Sequence, residues 1–170
     1  LMTDNTNHAG IRLKDEVGQG SIVPLIGVYD VFSASIAARH FNGLFVSGFS
    51  FAASYYGLPD IVSFVQRLRT ILPEHHIVVD IDDGCCDNEV ACHVVRQLEA
   101  LDVSGVVIED QLRPRRCGHM NGKQIMDLEP FIEKLELVLA IRKDLFVVAR
   151  TGAVDEKKLL IVHMLLQNLV

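Results

Sequence analysis

Asp80 and Asp82 stand two residues apart at the end of the apolar run Ile77-Val78-Val79, and Glu109 closes a second run, Val106-Val107-Ile108. If both runs are strands, alternation points Asp80 and Asp82 to one side, and Glu109 ends the next strand at about the same height. Three carboxylates would then meet. Like charges held together are costly unless a proton or cation offsets them, and hard oxygen ligands with spare water positions suit Mg²⁺ or Mn²⁺. Carboxylates after strands also serve as plain helix N-caps, a role that suits Asp83 or Asp87. Asp80 fits it poorly, because an acid at the end of an apolar run is rarely buried unless paired.

A second cluster runs from Glu109 to Lys123 and includes Arg113, Arg115, Arg116, Cys117 and His119. It is a long connection for a compact domain, which marks it as functional, in the manner of a lid, or as disordered. Positive neighbours favour the thiolate, so Cys117 is an acid–base candidate; an inert loop thiol on a solvated basic surface is the alternative. Ser47-Gly48 offers backbone N–H groups that a ligand can approach closely, though such pairs are also ordinary turn material. Cys85, Cys86 and Cys92-His93 match no recurring zinc spacing and are assigned to packing. His75-His76 fall before a strand, at the opposite end from these candidates, and are given no catalytic part.

The elements that must position these residues alternate between strand-length apolar runs and stretches with helical spacing, the mark of repeated βα units around a parallel sheet. Strands are expected at 22–27, 43–47, 77–81, 105–108 and 145–149. Helices are expected at 33–40, 61–72, 89–101, 129–141 and 156–167, with a leading helix near 10–17. The candidates follow the strands: Ser47-Gly48-Phe49 after the second, Asp80 to Gly84 after the third, Glu109-Asp110 after the fourth and Arg150-Thr151 after the fifth. Ligands of parallel α/β folds gather at these carboxyl ends.

Composition narrows the function. The chain has 170 residues, of which 49% are hydrophobic, and 22 acidic against 16 basic residues leave a net charge of −6. One cored domain spanning 1–170 is expected. The acidic balance with no basic block argues against nucleic acid as a partner. No apolar stretch reaches membrane-spanning length, and Leu1 to Gly10 is too polar for a secretory signal. A cytoplasmic protein with reduced thiols is expected.

Several motifs, in their order and spacing, resemble the isocitrate lyase and phosphoenolpyruvate mutase superfamily. They are Asp80-Ile81-Asp82-Asp83-Gly84, Ile108-Glu109-Asp110-Gln111, Arg115-Arg116-Cys117-Gly118-His119 and Val148-Ala149-Arg150-Thr151. Gly27-Val28-Tyr29-Asp30, Val46-Ser47-Gly48-Phe49 and Gly57-Leu58-Pro59-Asp60 extend the likeness over nearly the whole chain. The resemblance implies a (β/α)₈ TIM barrel that binds a small 2-oxo or 2-hydroxy carboxylate through Mg²⁺ and makes or breaks a C–C or P–C bond. By the resemblance, Asp82 is the principal metal ligand, Asp80 and Glu109 act directly or through water, and Asp60 supports the metal's water shell. Tyr29, Ser47, Gly48, Phe49, Gly118 and His119 are expected around the substrate, with Arg150 on its carboxylate and enolate oxygens. Cys117 is the proton-transfer residue, with Arg115, His119 and Arg150 in the catalytic set. Cys117 points to a lyase of the 2-methylisocitrate or substituted-malate type, because the mutase and hydrolase branches lack that thiol.

This sequence departs from the family at definite places. The usual Asp-Thr-Gly-Tyr-Gly-Asn reads Asp82-Asp83-Gly84-Cys85-Cys86-Asp87, the loop lysine is Arg115, and the acid usual after Arg-Thr is Gly152. Arginine keeps the charge but does not give up its proton, so an acid–base role at position 115 would be lost. A complete barrel takes about 250 residues. Only five βα units can be counted here, so a truncated barrel with open edge strands is expected. Homo-oligomers, commonly tetramers, are implied by the family. A phosphonopyruvate mutase or hydrolase, an oxaloacetate decarboxylase and an inactive homologue remain open beside the lyase.

Overall fold

A computed structural model describes residues 8–47, 58–84, 87–114, 116 and 121–153. In chain order the elements are α1 (Ala9–Gly18), β1 (Leu25–Val28), α2 (Val31–Ala37), β2 (Gly43–Val46), α3 (Leu58–Ile71), β3 (His76–Asp80), α4 (Asn88–Ala100), β4 (Gly105–Glu109), α5 (Leu128–Ile141) and β5 (Phe146–Arg150). The five strands are parallel and lie in the order of the chain. These are consecutive βα units around a parallel sheet, as the sequence alternation predicts, in the strand order that the barrel implied by the resemblance requires. The expected helix over 156–167 lies outside the described residues.

Burial follows position in the sheet. Every residue of β3 and β4 is buried, whereas β1 and β5, which pair on one side only among the described residues, are partly exposed. On one face Leu44, Val46, Ile77, Val79, Val106, Ile108 and Val147 join Phe64, Val65, Leu68, Val94, Val95, Leu98, Phe131 and Val138 from the helices in the main core. On the other face Phe45, Val78, Val107 and Phe146 form a smaller cluster with Leu13 of α1. Alternation carries this second face forward from Val78 to Asp80, from Val107 to Glu109 and from Phe146 to Arg150. The candidate site therefore grows out of the smaller apolar cluster, one pleat farther along the strands.

Local chemistry sets the boundaries. The first strand begins at Leu25, after Pro24, which has no N–H for the ladder. The third helix begins at Leu58, with Pro59 in its first turn, where a missing N–H costs nothing. Asp30 caps α2, accepting from Ser33 N at 2.8 Å, and Asp87 caps α4, accepting from Glu89 N at 2.8 Å. At the amino-terminal end His76 is the first residue of β3, with Nε2 3.0 Å from Glu16 Oε1 and Nδ1 3.2 Å from Ser104 Oγ. It stands at the end of the sheet opposite Asp80 and Glu109.

Candidate functional site at the carboxyl end of the sheet

Asp80 ends β3, and its Oδ1 accepts from the backbone N of Asp82 at 2.9 Å. Asp82 has left the strand, with φ +53°. The expectation that Asp80 and Asp82 share one strand face is thus corrected: the chain turns at Asp82, so alternation does not govern its side chain. The ladder also refines the heights. Asp80 stands opposite Val107, and Glu109 N donates to Asp82 O at 2.7 Å, so Glu109 is two residues farther along than Asp80. Among the described residues no three His, Cys, Asp or Glu side chains form a metal-holding group. Asp80 and Glu109 do converge, because both lie on the site face of neighbouring strands.

The turn after β3 is held from several sides. Gly84 has φ +70° and donates from N to Ile81 O at 2.9 Å; a Cβ there would lie 2.9 Å from Ala91 Cβ. Lys134, only 1% exposed, reaches from α5 and donates Nζ to Asp83 O at 2.8 Å. Arg113 grips the Asp83 carboxylate with Nε at 2.8 Å and Nη2 at 3.0 Å. Asp83 is therefore not an N-cap; it anchors the segment that follows β4, while Asp87 does cap its helix.

At the end of β4 the chain runs through three buried polar residues, Glu109, which closes the strand, then Asp110 and Gln111. Asp110 accepts from Thr151 Oγ1 at 2.6 Å and from Gly152 N at 2.9 Å, which fastens the end of β5 beside Glu109. Gln111 donates Nε2 to Glu109 Oε1 at 3.1 Å and accepts at Oε1 from the backbone N of Arg116. Gln111 and Ile125 form an antiparallel bridge at the root of the 112–124 segment. Arg150 places Nε 3.6 Å from Glu109 Oε2.

The electrostatics of Glu109 follow from this placement. Burial raises its pKa above the ordinary glutamate value, the charges of Asp80 and Asp110 raise it further, and Arg150 and the Gln111 hydrogen bond oppose the rise. A carboxylate so placed gains from any cation brought to it. Mg²⁺ commonly takes one or two protein carboxylates and keeps several waters, so Asp80 with Glu109 is a donor set that fits it without a complete protein cage.

Of the other residues singled out in the sequence, Tyr29 follows β1 and is more than half exposed, Ser47 follows β2, and Asp60 lies in the first turn of α3. The sequence reading ends the second strand at Ser47 and starts the helix at Ile61, so the structure moves Ser47 just past its strand and Asp60 into the first turn of the helix. Gly48, Phe49, Arg115, Cys117, Gly118 and His119 lie outside the described residues, as do Cys85 and Cys86. Cys92 packs in the main core, as expected of a structural thiol. Sequence reading missed Lys134 and the Asp83–Arg113 pairing, and it named Asp110 and Gln111 only within their motif, without the partners they hold. Lys134 had left a signal: it interrupts the buried stripe Phe131, Leu135 and Val138 of α5, where a charge needs a partner.

Comparison with known proteins bears on the whole arrangement. A family model described as phosphoenolpyruvate phosphomutase matches residues 13–160. The chain is 35% identical over 156 residues to the petal death protein of Dianthus caryophyllus, covering 84% of this chain and 47% of that protein. It is 30% identical over 165 residues to a 2-methylisocitrate lyase of Aeropyrum pernix, covering 90% and 52%. Among solved structures, a 2,3-dimethylmalate lyase superposes with a TM-score of 0.84 at 23% identity, covering 94% of this chain and 59% of that one. A phosphonopyruvate hydrolase in complex with oxalate and Mg²⁺ gives 0.81 at 20% identity, covering 95% and 60%. The chain spans about half the length of the curated relatives it matches. With the matched region taking in all five strands and each of the motifs they carry, the chain belongs to the phosphoenolpyruvate phosphomutase family.

Proposed function

We propose that this chain carries the site of a carbon–carbon lyase acting on a 2-hydroxy di- or tricarboxylate of the 2-methylisocitrate or substituted-malate type, with Mg²⁺ or Mn²⁺ as cofactor. The observation that carries the reading is the convergence of two buried carboxylates, Asp80 and Glu109, with the Arg150 guanidinium at the carboxyl end of a parallel sheet. The similarity to a 2-methylisocitrate lyase and a 2,3-dimethylmalate lyase supports the substrate class.

Asp80 and Glu109 would hold the ion, with Asp82, which the family resemblance makes its principal ligand, reaching it from the turn and Asp60 supporting its waters. Bound there, the ion supplies Lewis acidity toward the oxygens of a 2-oxo acid group. Arg150 presents a planar fork to the substrate carboxylate, framed by Tyr29, Ser47, Gly48 and Phe49. A base takes the hydroxyl proton, the resulting alkoxide collapses to a carbonyl, and the C–C bond breaks with its electron pair passing to the departing fragment as an enolate. The enolate carbon would take its proton from Cys117, which Arg115, Gly118 and His119 accompany in the sequence. A homo-oligomer belongs to the same reading; the exposed Ile22 and Phe32 offer apolar surface for it, and light scattering measures its mass.

The experiment is release of a 2-oxo acid from 2-methylisocitrate and 2,3-dimethylmalate, coupled to lactate dehydrogenase, alongside Mg²⁺ titration by calorimetry. Cys117→Ser is expected to lower turnover about 10²- to 10⁴-fold, the usual range for removing a general acid. Asp82→Ala is expected to weaken Mg²⁺ binding. Cleavage of phosphonopyruvate with both hydroxy acids untouched would replace the lyase by the hydrolase reading.

A further inference from the structure

Gln111 is 5% exposed, and both ends of its amide are used. Nε2 donates to Glu109 Oε1 at 3.1 Å, and Oε1 accepts from Arg116 N. Chemistry dictates this orientation. An ionised carboxylate can only accept and a backbone N–H can only donate, so an amide turned by half a rotation would lose both bonds.

The side chain is fixed at its root. Around the Gln111–Ile125 bridge, Leu112 N donates to Gln124 O at 2.8 Å and Met126 N to Asp110 O at 2.7 Å. Farther along, Arg116 Nη1 donates to Asn121 O at 3.1 Å, tying the two arms of the segment together beyond the bridge. Arg116 N is thus one point at which the segment is tied to the carboxylate cluster, here through the Gln111 amide, as Arg113 is another through Asp83. The carboxylate at the other end has two oxygens with different neighbours: Oε1 faces Gln111, and Oε2 faces Arg150.

We propose that Gln111 is a positioning residue that couples the Glu109 carboxylate to the backbone of the 112–124 segment at Arg116. A divalent cation held by Glu109 would fix its carboxylate in one orientation and so tighten the grip of the Gln111 amide on Arg116. A charge-assisted bond at one end of an amide also polarises the bond at the other. The direction of coupling rests on the cation reading of the preceding section; the physical link through Gln111 does not.

The test is amide hydrogen exchange in the ¹⁵N-labelled full chain, with Mg²⁺ binding measured in parallel by calorimetry. Without metal, Arg116 N–H is expected to exchange about tenfold faster in Gln111→Met than in wild type, the loss expected for one hydrogen bond, while Val94 and Leu98 of α4 stay unchanged. Saturating Mg²⁺ is expected to slow Arg116 exchange several-fold in wild type and to leave it unmoved in Gln111→Met. Gln111→Glu, which keeps an acceptor for Arg116 but removes the donor to Glu109, is expected to retain protection and lose the response to Mg²⁺; it serves also if the methionine variant fails to fold. Equal Arg116 exchange in wild type and Gln111→Met overturns the link. Mg²⁺ binding to wild type with no change at Arg116 overturns the coupling and leaves the cation reading standing, whereas no Mg²⁺ binding at all overturns the cation reading and the coupling with it.

Discussion

Removing the Asp110 carboxylate tests the fastening of β5 directly. Asp110 is fully buried and accepts two hydrogen bonds from the segment after β5, from Thr151 Oγ1 at 2.6 Å and from Gly152 N at 2.9 Å. Hydrogen bonds to charged groups are worth about 1.5–3 kcal/mol each, and unmet donors add to the loss unless water reaches them. Gly152 is exposed, so its N–H regains water, which lowers the total. Asp110→Ala is therefore expected to cost about 2–4 kcal/mol, or roughly 4–16 °C in Tm for a chain of this size. Thr151→Val removes the hydroxyl that donates to Asp110 and accepts from Ala153 N at 3.1 Å. The assay is urea unfolding followed by circular dichroism for wild type, both single variants and the double variant. A coupling energy of about 1–2 kcal/mol between the two positions is expected, as for residues in direct contact. Strictly additive losses, or a loss from Asp110→Ala below about 0.5 kcal/mol, would refute the assignment of Asp110 as the fastener of the Arg150 strand. The Asp110 charge also helps to raise the pKa of Glu109, so Asp110→Asn is expected to bring the Glu109 titration, followed by NMR, back toward the ordinary glutamate range.

Two further outcomes follow from the same geometry. Because Glu109 titrates above its ordinary value of 4.5 in the folded chain, the folded state holds more protons than the unfolded state in the window above that value. Its contribution to stability is thus present below the window and lost as pH rises through it, and Glu109→Gln is expected to flatten the decline in urea midpoint as pH rises above 4.5; an unchanged slope would remove Glu109 as its source. Gly84→Ala meets both a positive φ and a contact of 2.9 Å with Ala91 Cβ. It is expected to cost about 2–5 kcal/mol in urea unfolding, from about 1–2 for the left-handed backbone and about 1–3 for the overlap, and a loss under about 0.5 kcal/mol would mean that the turn does not need glycine.

The sequence alone determined the architecture. Each of the first four strands is built on an apolar run and is followed by a helix, and that alternation has one economical solution, a parallel sheet with helices laid against it. It also determined which residues stand at the carboxyl ends, because position at the end of a run is a property of order along the chain. Asp80, Glu109 and Arg150 stand at those ends, where Arg150 Nε lies 3.6 Å from Glu109 Oε2 and the Asp80 charge acts on Glu109. What order along the chain does not contain is the register between strands or the path of the backbone once a strand ends. Asp82 was read as a continuation of β3, but a residue at φ +53° turns its side chain by rules other than alternation. The polar partners were decided by tertiary structure for the same reason. Asp83 meets Arg113 across 30 positions, Lys134 meets Asp83 across 51, and Asp110 meets Thr151 across 41. Such pairs have no spacing signature; they exist because burial in a folded core leaves a charge no other way to be satisfied.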